Sequence, residues 1–459
     1  MNTSEQPGTL AQRMRHTPYQ AYSYSYPHKA AYRPLSQATP LAPLWAQQDR
    51  SALFAYIHIP FCEMRCGFCN LFAMARPGAD MVERYVQQVL VQMRAMDEVL
   101  GARSFARFAL GGGTPTYLSA AQLDTLLRGA RDILGIDLHA TPAGIEASPE
   151  TITAERLAVC RAHGIDRVSL GIQSFAAGEM RALARPQQNA TVHHAIGLIR
   201  TAGFPTLNLD LIYGIAGQTV ASLLASIDSA LAFAPEEIYL YPLYVREQTG
   251  LGKVARRQGA QTLDPIMLAR DGDSRLALYA AARDHLRARG YVQVSMRMFR
   301  APHAPGDAGP SYCCQNDGMV GLGAGARSYT SQLHYSSEYA VARTETIGII
   351  DNYLALDQAR FAQAEHGYVL GVEDQQRRYV IQSLLTEPGL DGDAYTARFG
   401  TACEADLPQL AELFALELVE RDGPLLRLND QGYAYADTIG PWLASDTVRA
   451  LMAESGQAC

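Results

Sequence analysis

The stretch AYIHIPFCEMRCGFCNL, residues 55–71, decides how the rest of the chain is read. An apolar run over residues 53–59 has period-two character and ends at Pro60, which cannot donate to a ladder, so it reads as a strand. Cys62, Cys66 and Cys69 follow at once in the spacing C-x3-C-x2-C. Three thiols on one loop are a candidate metal or cluster site. They fall one short of the four-cysteine set that closes a structural zinc or a [4Fe–4S] cluster. A cubane held by three leaves one iron open to an outside ligand. Two other arrangements also fit the spacing. The cysteines can share one face of a helix as small buried hydrophobes, although Pro60 and Gly67 disfavour a regular helix. A zinc knuckle needs a fourth ligand, for which His58 is available.

The chain has 459 residues, enough for two or three domains around a large core. Hydrophobic residues at 48% and charged residues at 19% give the profile of a globular protein. A net charge of −7 lacks the basic footprint of a nucleic-acid binder. No apolar run approaches a membrane span, and residues 1–16 are polar, unlike a signal peptide. Eight cysteines without a secretory signal fit a reducing cytosol, so a cytoplasmic protein is expected. Cys160, Cys313, Cys314, Cys403 and Cys459 are scattered and read as structural thiols.

Residues 1–20 read as disordered. Tyr22, Tyr24 and Tyr26 alternate with serines, and Pro27, His28, Lys29, Tyr32 and Pro34 follow. The prolines favour an extended arm over the core, anchored by Trp45. Such an arm suits a lid over a cofactor site, and a plain surface arm fits equally well. Past the cysteines, helices at 79–100, 120–133, 154–163, 190–202 and 220–232 alternate with strands at 105–110, 143–147, 167–172, 206–213 and 237–241. With the first strand, six strands fall within about 190 residues. The pattern implies parallel strands with right-handed crossovers, hence an α/β barrel or open sheet. Polar or glycine residues mark these strands and their ends: Gly111-Gly112-Gly113-Thr114-Pro115, Glu146, Gln173, Asn208 and Asp210. Barrels place their chemistry at C-terminal strand ends, so Glu146, Gln173 and Asp210 are expected to face one cavity. Consecutive glycines let the backbone approach a ligand, though a tight turn explains them too.

With Phe68 ahead of the third cysteine, the run resembles the signature of radical S-adenosylmethionine (SAM) enzymes. The resemblance implies a [4Fe–4S] cluster on Cys62, Cys66 and Cys69, with SAM chelating the open iron. An electron from the cluster then cleaves SAM to a 5′-deoxyadenosyl radical. YIHIPFC (56–62), GGGTP (111–115), GIEASPE (144–150), RVSLGIQSF (167–175) and LDLIYG (209–214) together resemble the HemN-like radical SAM proteins, the oxygen-independent coproporphyrinogen III oxidase group. The likeness covers about residues 50–445. It implies an α/β fold with a partial (β/α)6 barrel: a partly disordered arm at 1–49, the barrel at 50–300, a substrate-side extension at 301–365, and a small helical, winged-helix-like cap at 366–459. It further implies that Tyr56, the expected catalytic residue, and Phe68 pack against cluster and SAM. Gly112, Gly113, Thr114, Glu146, Gln173, Arg185 and Asp210 match positions that contact SAM, and Arg327 in GLGAGAR (321–327) matches another. The group's oxidases bind two SAM molecules, and these positions serve both. The implied partners are a small-molecule substrate and an electron donor such as flavodoxin or ferredoxin, with no nucleic acid and no membrane, for a monomer or weak oligomer.

The departures from the oxidase pattern bear on substrate. The oxidase carries a fourth cysteine two residues after the third, where this chain has Leu71. Its YGLP becomes Tyr213-Gly214-Ile215-Ala216, and Tyr241 to Arg246 with Thr249 looks more like haem-utilisation and methyltransferase relatives. These differences point away from coproporphyrinogen and leave SAM cleavage untouched. Two reactions fit: oxidative decarboxylation of a propionate-bearing tetrapyrrole, or methyl transfer using a second SAM. A cluster-bearing haem carrier is the non-enzymatic alternative.

Further on, a helix at 262–289, a strand at 291–299 and a loop at 301–310 are expected. Arg246, Arg297, Arg300 and Arg327 form either a carboxylate pocket or a solvated face. Cys313 and Cys314 either touch substrate or are plain thiols. Beyond a composition change at 360–372 come helices at 375–385 and 406–416, a hairpin of Leu418-Val419 with 425–428, and a last helix from Gly432. Glu412, Glu417, Glu420 and Asp422 make this tail acidic, which favours a structural cap over a DNA-binding one.

Overall fold

The computed structural model describes residues 8–16, 18–23, 25–257, 274–306 and 318–454. Tyr24, Cys313, Cys314, Cys459 and parts of the expected helix at 262–289 and loop at 301–310 lie outside them. In chain order the strands of the main sheet and the cysteine loop are β1 (Arg33–Pro40), β2 (Leu53–Ile59), β3 (Phe61–Cys62), β4 (Met74–Ala75), β5 (Phe105–Gly112), β6 (Ala143–Ala147), β7 (Arg167–Gln173), β8 (Thr206–Tyr213), β9 (Glu237–Pro242), β10 (Val292–Gln293), β11 (Met298–Arg300), β12 (Met319–Leu322), β13 (Arg327–Tyr329), β14 (Leu333–Ser336) and β15 (Gln363–Val369). The six strands expected from the alternation, β2 and β5 to β9, lie side by side in chain order and are all parallel. Helices Ala79–Leu100, Ala120–Asp132, Ala154–Ala162, Asn189–Thr201 and Val220–Leu231 connect them. β12 joins β2 in parallel, and β13, β14, β15 and β1 continue antiparallel from there. At the other edge β11 and β10 follow β9 antiparallel, completing a mixed sheet of 13 strands.

Burial along the parallel strands shows which face carries the site. Ile57, Leu110, Ile145, Leu170, Leu209 and Leu240 are at most 1% exposed on the helix-covered face. The alternate positions Tyr56, Glu146, Asp210 and Tyr239 remain in contact with solvent. Protein nevertheless surrounds Tyr56, Tyr239 and Tyr241 closely enough that desolvation pushes their phenols above the ordinary range. A face that is wet yet enclosed is the lining of a cavity. The parallel block is therefore the wall of a partial barrel, with its polar residues inside.

Two expectations about local structure are corrected. Residues 291–299 do not form one strand: β10 and β11 pair antiparallel around a turn in which Ser295 Oγ accepts the N–H groups of Arg297 and Met298. Within the N-terminal segment expected to be disordered, Leu10–His16 is a helix with Leu10 fully buried and the Ala11 N–H bonded to Glu412 Oε1 at 3.0 Å. The arm then runs irregularly across the molecule before β1 pairs with β15, and the register shifts between Pro34 and Thr39. Trp45 anchors it as expected, fully buried with Nε1 donating to Tyr335 at 3.0 Å.

Past β15 the chain forms helix Val372–Leu384 and a three-stranded sheet of β16 (Leu390–Asp391), β17 (Val419–Asp422) and β18 (Leu425–Leu428), in the order β16-β18-β17. Helix Ala436–Leu443 docks this unit on the arm, where the Gln20 and Ala21 N–H groups donate to the Asp437 carbonyl. Among the described residues, no helix is long and apolar enough to cross a membrane.

Candidate active site

β3 pairs in parallel with β4, Phe61 beside Met74 and Cys62 beside Ala75, so the cysteine loop leaves and returns at one point. Its middle is clamped from outside. The Gly67 N–H donates to the Leu183 carbonyl at 3.0 Å, and the Gly67 carbonyl accepts the Leu251 N–H at 2.8 Å. The loop contains no regular helix, which removes the reading of the cysteines as one buried helical face. Cys62, Cys66 and Cys69 are free thiols and only partly covered. Burial pushes Cys62 up to about 12 and raises Cys66 and Cys69 as well, so a bound cation is what would deprotonate them.

His58 is not available as a fourth ligand. Nε2 donates to the Phe72 carbonyl at 3.0 Å, and Nδ1 accepts from the Tyr56 hydroxyl at 3.1 Å. Burial lowers this ring to about 4, so it stays neutral and both nitrogens are engaged. Among the described residues, no three His, Cys, Asp or Glu side chains converge on the position of a single metal ion. Around one zinc, bonds of about 2.3 Å would hold three sulfurs about 3.8 Å apart. With both His58 nitrogens engaged, the loop offers three thiols without the fourth ligand a zinc knuckle needs, a donor set that suits a cluster with one open iron.

The glycine turn after β5 is built onto this loop. Gly113 and Thr114 donate their N–H groups to the Ile59 and Phe61 carbonyls, each at 2.8 Å. Thr114 Oγ1 lies 3.4 Å from Cys62 Sγ. A Cβ on Gly113 would fall 2.8 Å from the Phe61 carbonyl and 3.0 Å from Cys62 Sγ, so no larger residue fits. Gly112 has φ +114°, and a Cβ there would meet the His58 ring at 2.5 Å. Its N–H donates to Glu146 Oε2 at 2.9 Å, which brings the next strand's carboxylate to the turn.

Glu146 and Asp210 face the same cavity. Desolvation chiefly, and then the charge of Asp210, pushes Glu146 up to about 7 against the Gly112 N–H. Water reaches Glu146 even though protein surrounds it, as expected inside a cavity. Asp210 accepts from Asn208 Nδ2 at 2.6 Å and Ser169 Oγ at 3.3 Å, and desolvation pushes it up to about 6. Gln173 ends β7 with φ +71°, where the register with β8 slips. Such a conformation costs a non-glycine residue about 1–3 kcal/mol. Arg185 Nη2 donates to the Gly171 carbonyl at 2.8 Å, and Gly171 pairs with Asp210. Gln173, Arg185 and Asp210 thus meet at one point of the wall.

Phe68 packs into an apolar cluster with Leu183, Ile212, Leu243, Tyr241 and Leu251 that supports the cysteine loop. Arg327 opens β13, and its charge acts on Tyr56 and His58. Of the four arginines weighed as a carboxylate pocket or a solvated face, Arg246 and Arg327 both act on His28, and the other two are engaged elsewhere. Arg297 is bonded to Asp437 at 2.5 Å with both side chains buried, and Arg300 lies 3.7 Å from Glu237 at the opposite end of β9. Arg246 donates to the Gln20 carbonyl at 3.1 Å. Sequence reasoning missed an aromatic wall: Tyr239 and Tyr241 stack at 5.9 Å, and the arm's Tyr22 meets Tyr241 at 6.5 Å. The alternation of Tyr239 and Tyr241 along β9 was the available signal.

The Radical SAM superfamily profile matches residues 56–230. The chain is 27% identical over 427 residues to an oxygen-independent coproporphyrinogen III oxidase from Bradyrhizobium diazoefficiens, covering 89% of this chain and 91% of the relative. It is 25% identical over 382 residues to the haem chaperone HemW of Bacillus subtilis, covering 82% and 95%. Its fold matches that of coproporphyrinogen III oxidase (HemN) from Escherichia coli with a TM-score of 0.74 at 22% identity, over 92% of this chain and 97% of that one. The cysteine loop, the glycine turn and the six parallel strands all fall within or beside the matched domain, so the chain carries a Radical SAM domain within a fold like that of HemN.

Proposed function

We propose that Cys62, Cys66 and Cys69 hold the [4Fe–4S] cluster that this superfamily implies, and that the protein cleaves SAM to act on a small organic substrate. The observation that carries the reading is the join between Cys62 and the glycine turn, with Gly113 wedged against Cys62 Sγ and Thr114 Oγ1 beside it. When bound, the cluster and SAM supply an electron and a carbon radical able to abstract hydrogen. The chain's own part is placement. Gly112, Gly113 and Thr114 present backbone beside the cysteines, and Glu146 and Asp210 offer anionic partners to a cationic ligand. Arg185 and Arg327 suit its carboxylate, while Gln173 supplies a polar contact and Phe68 an apolar one. Tyr56 is the proposed catalytic residue. Its phenol stays protonated and donates to His58 Nδ1, so it fixes an orientation and does not act as a base.

A tetrapyrrole is the proposed substrate class, since coproporphyrinogen and haem, named in the two kinds of relative, are both tetrapyrroles. Methyl transfer with a second SAM is the other reaction we propose to test. A flavodoxin- or ferredoxin-like donor and a cytoplasmic location complete the reading. The similarity to HemW favours one further alternative, a haem carrier. A carrier would form a tight tetrapyrrole complex without turning over SAM in its presence, whereas the enzyme would accumulate 5′-deoxyadenosine.

Anaerobic reconstitution tests the ligand set. The wild type should hold about four irons per chain. Cys62→Ala, Cys66→Ala and Cys69→Ala should each lose the cluster's electron paramagnetic resonance signal, and Cys160→Ala and Cys403→Ala should keep it. A cluster retained in Cys66→Ala would contradict the assignment.

A further inference from the structure

Arg65 stands between Cys62 and Cys66, inside the loop assigned to the cluster. The residue is half-buried, and its Nη2 is a buried donor with no hydrogen-bond partner. A covered charged donor is expensive to leave unmet, so native structures generally meet it. The loop has little room to turn it away. Gly67 is bonded on both sides, the Cys69 N–H donates to the Cys66 carbonyl at 3.2 Å, and the Arg76 N–H donates to the Cys62 carbonyl at 2.9 Å. Of the nearby carboxylates, Glu63 is exposed, and Glu150 uses Oε2 to accept from Ser148 and approach Arg185 at 3.8 Å, while its Oε1 is buried without a hydrogen-bond partner. Of the charges acting on Cys69, that of Arg65 is the strongest, ahead of Arg185 and Lys29.

We propose that Arg65 is a positioning residue that donates from Nη2 to sulfur of the bound cluster, an inorganic sulfide or the Cys69 thiolate, and thereby favours its reduced form. This rests on the reading of the three cysteines as ligands. Guanidinium donors make strong charge-assisted bonds, and hydrogen bonds to sulfur are a main control on cluster potential. Reduction adds one negative charge to the cluster, so a fixed cation beside it stabilises the reduced state more than the oxidised one. The consequence is an easier first electron transfer from a weak physiological donor.

The test uses the anaerobically reconstituted holoprotein and reads iron content and cluster midpoint by redox titration followed by electron paramagnetic resonance. It requires no turnover. Arg65→Met should keep about four irons. Its reduced-to-oxidised ratio at the wild-type midpoint should fall about tenfold, equal to about 59 mV for one electron. Arg65→Lys keeps the charge without the planar fork and should fall less. An unchanged midpoint in Arg65→Met overturns the proposal. Should Arg65→Met fail to hold iron, Arg65→Lys decides: a lowered midpoint supports the proposal, and a wild-type midpoint overturns it. A cluster surviving in Cys66→Ala would instead remove the ligand assignment beneath it, so the two failures are distinguishable.

Discussion

Glu146 and Asp210 enter the cavity from β6 and β8, and the enclosure that makes them useful also makes them reluctant to ionise. Folding raises them from ordinary values of 4.5 and 3.8 to about 7 and about 6. An acid raised in this way leaves stability unaffected below its unfolded value. It weakens the fold as pH rises between the two values, and weakens it in full above the folded one. A cationic ligand reverses the balance, because it binds the ionised form. The affinity of the reconstituted protein for SAM should therefore rise from about pH 5.5 and level off near about pH 7.5, and Glu146→Gln should flatten the upper part of that rise. Calorimetry across this range checks it, and a flat wild-type profile would mean that the carboxylates do not face SAM. A second prediction at this scale concerns Gly113. Gly113→Ala forces a methyl against Cys62 Sγ and should reconstitute with less iron than wild type, whereas Gly78→Ala, with nothing within 4 Å, should not. The iron-to-protein ratio decides between them. The cysteines, the glycine turn, Glu146 and Asp210 were legible in the sequence because motif spacing and strand period place them. The engagement of His58 was not, since it depends on the Phe72 carbonyl reached only after the loop folds back.

Among the elements, alternation of two hydrophobic periods located the six parallel strands and their helices to within a residue or two. Repetition carried that success, since each unit predicts the next. The failures were single events. Ser295 closes a turn inside an apolar run, and the helix at Leu10–His16 is held by Glu412, about 400 residues away. The same long-range logic joins arm, barrel and cap. Arg297 from the β10–β11 turn is covered by the Tyr22 ring at 3.7 Å and neutralised by Asp437, and Tyr244 donates to the same carboxylate. Removing one member of a buried pair strands the other charge, at about 3–5 kcal/mol. Asp437→Ala should therefore lower unfolding free energy by about that amount and loosen the arm. Denaturant titration, with proteolysis near residue 20, measures both; a loss under about 1 kcal/mol would show that the pair does not hold the cap down.

At the scale of the whole molecule, the chain spans nearly the full length of an oxidase and a haem chaperone, so its overall architecture does not choose between their roles. The choice falls to local departures. Leu71, which the resemblance sets where the oxidase pattern has a fourth cysteine, is 45% exposed, an apolar side chain on the outside of the loop that can neither ligate iron nor donate a proton. Negligible conversion of coproporphyrinogen III is expected, together with SAM cleavage in its absence or with another substrate. Leu71→Cys should not restore conversion, because Tyr213 to Ala216 and Tyr241 to Arg246 differ as well. Efficient turnover by the unmodified protein, followed chromatographically as protoporphyrinogen formation, would return the chain to haem synthesis.

The central claim is that Cys62, Cys66 and Cys69 support reductive cleavage of SAM. Quantifying 5′-deoxyadenosine by mass spectrometry, after anaerobic incubation of the reduced, reconstituted protein with SAM, tests it most directly. The wild type should produce it, and Cys66→Ala should produce none. Deoxyadenosine formed by Cys66→Ala, or none formed by a wild type that holds its cluster, would contradict the account.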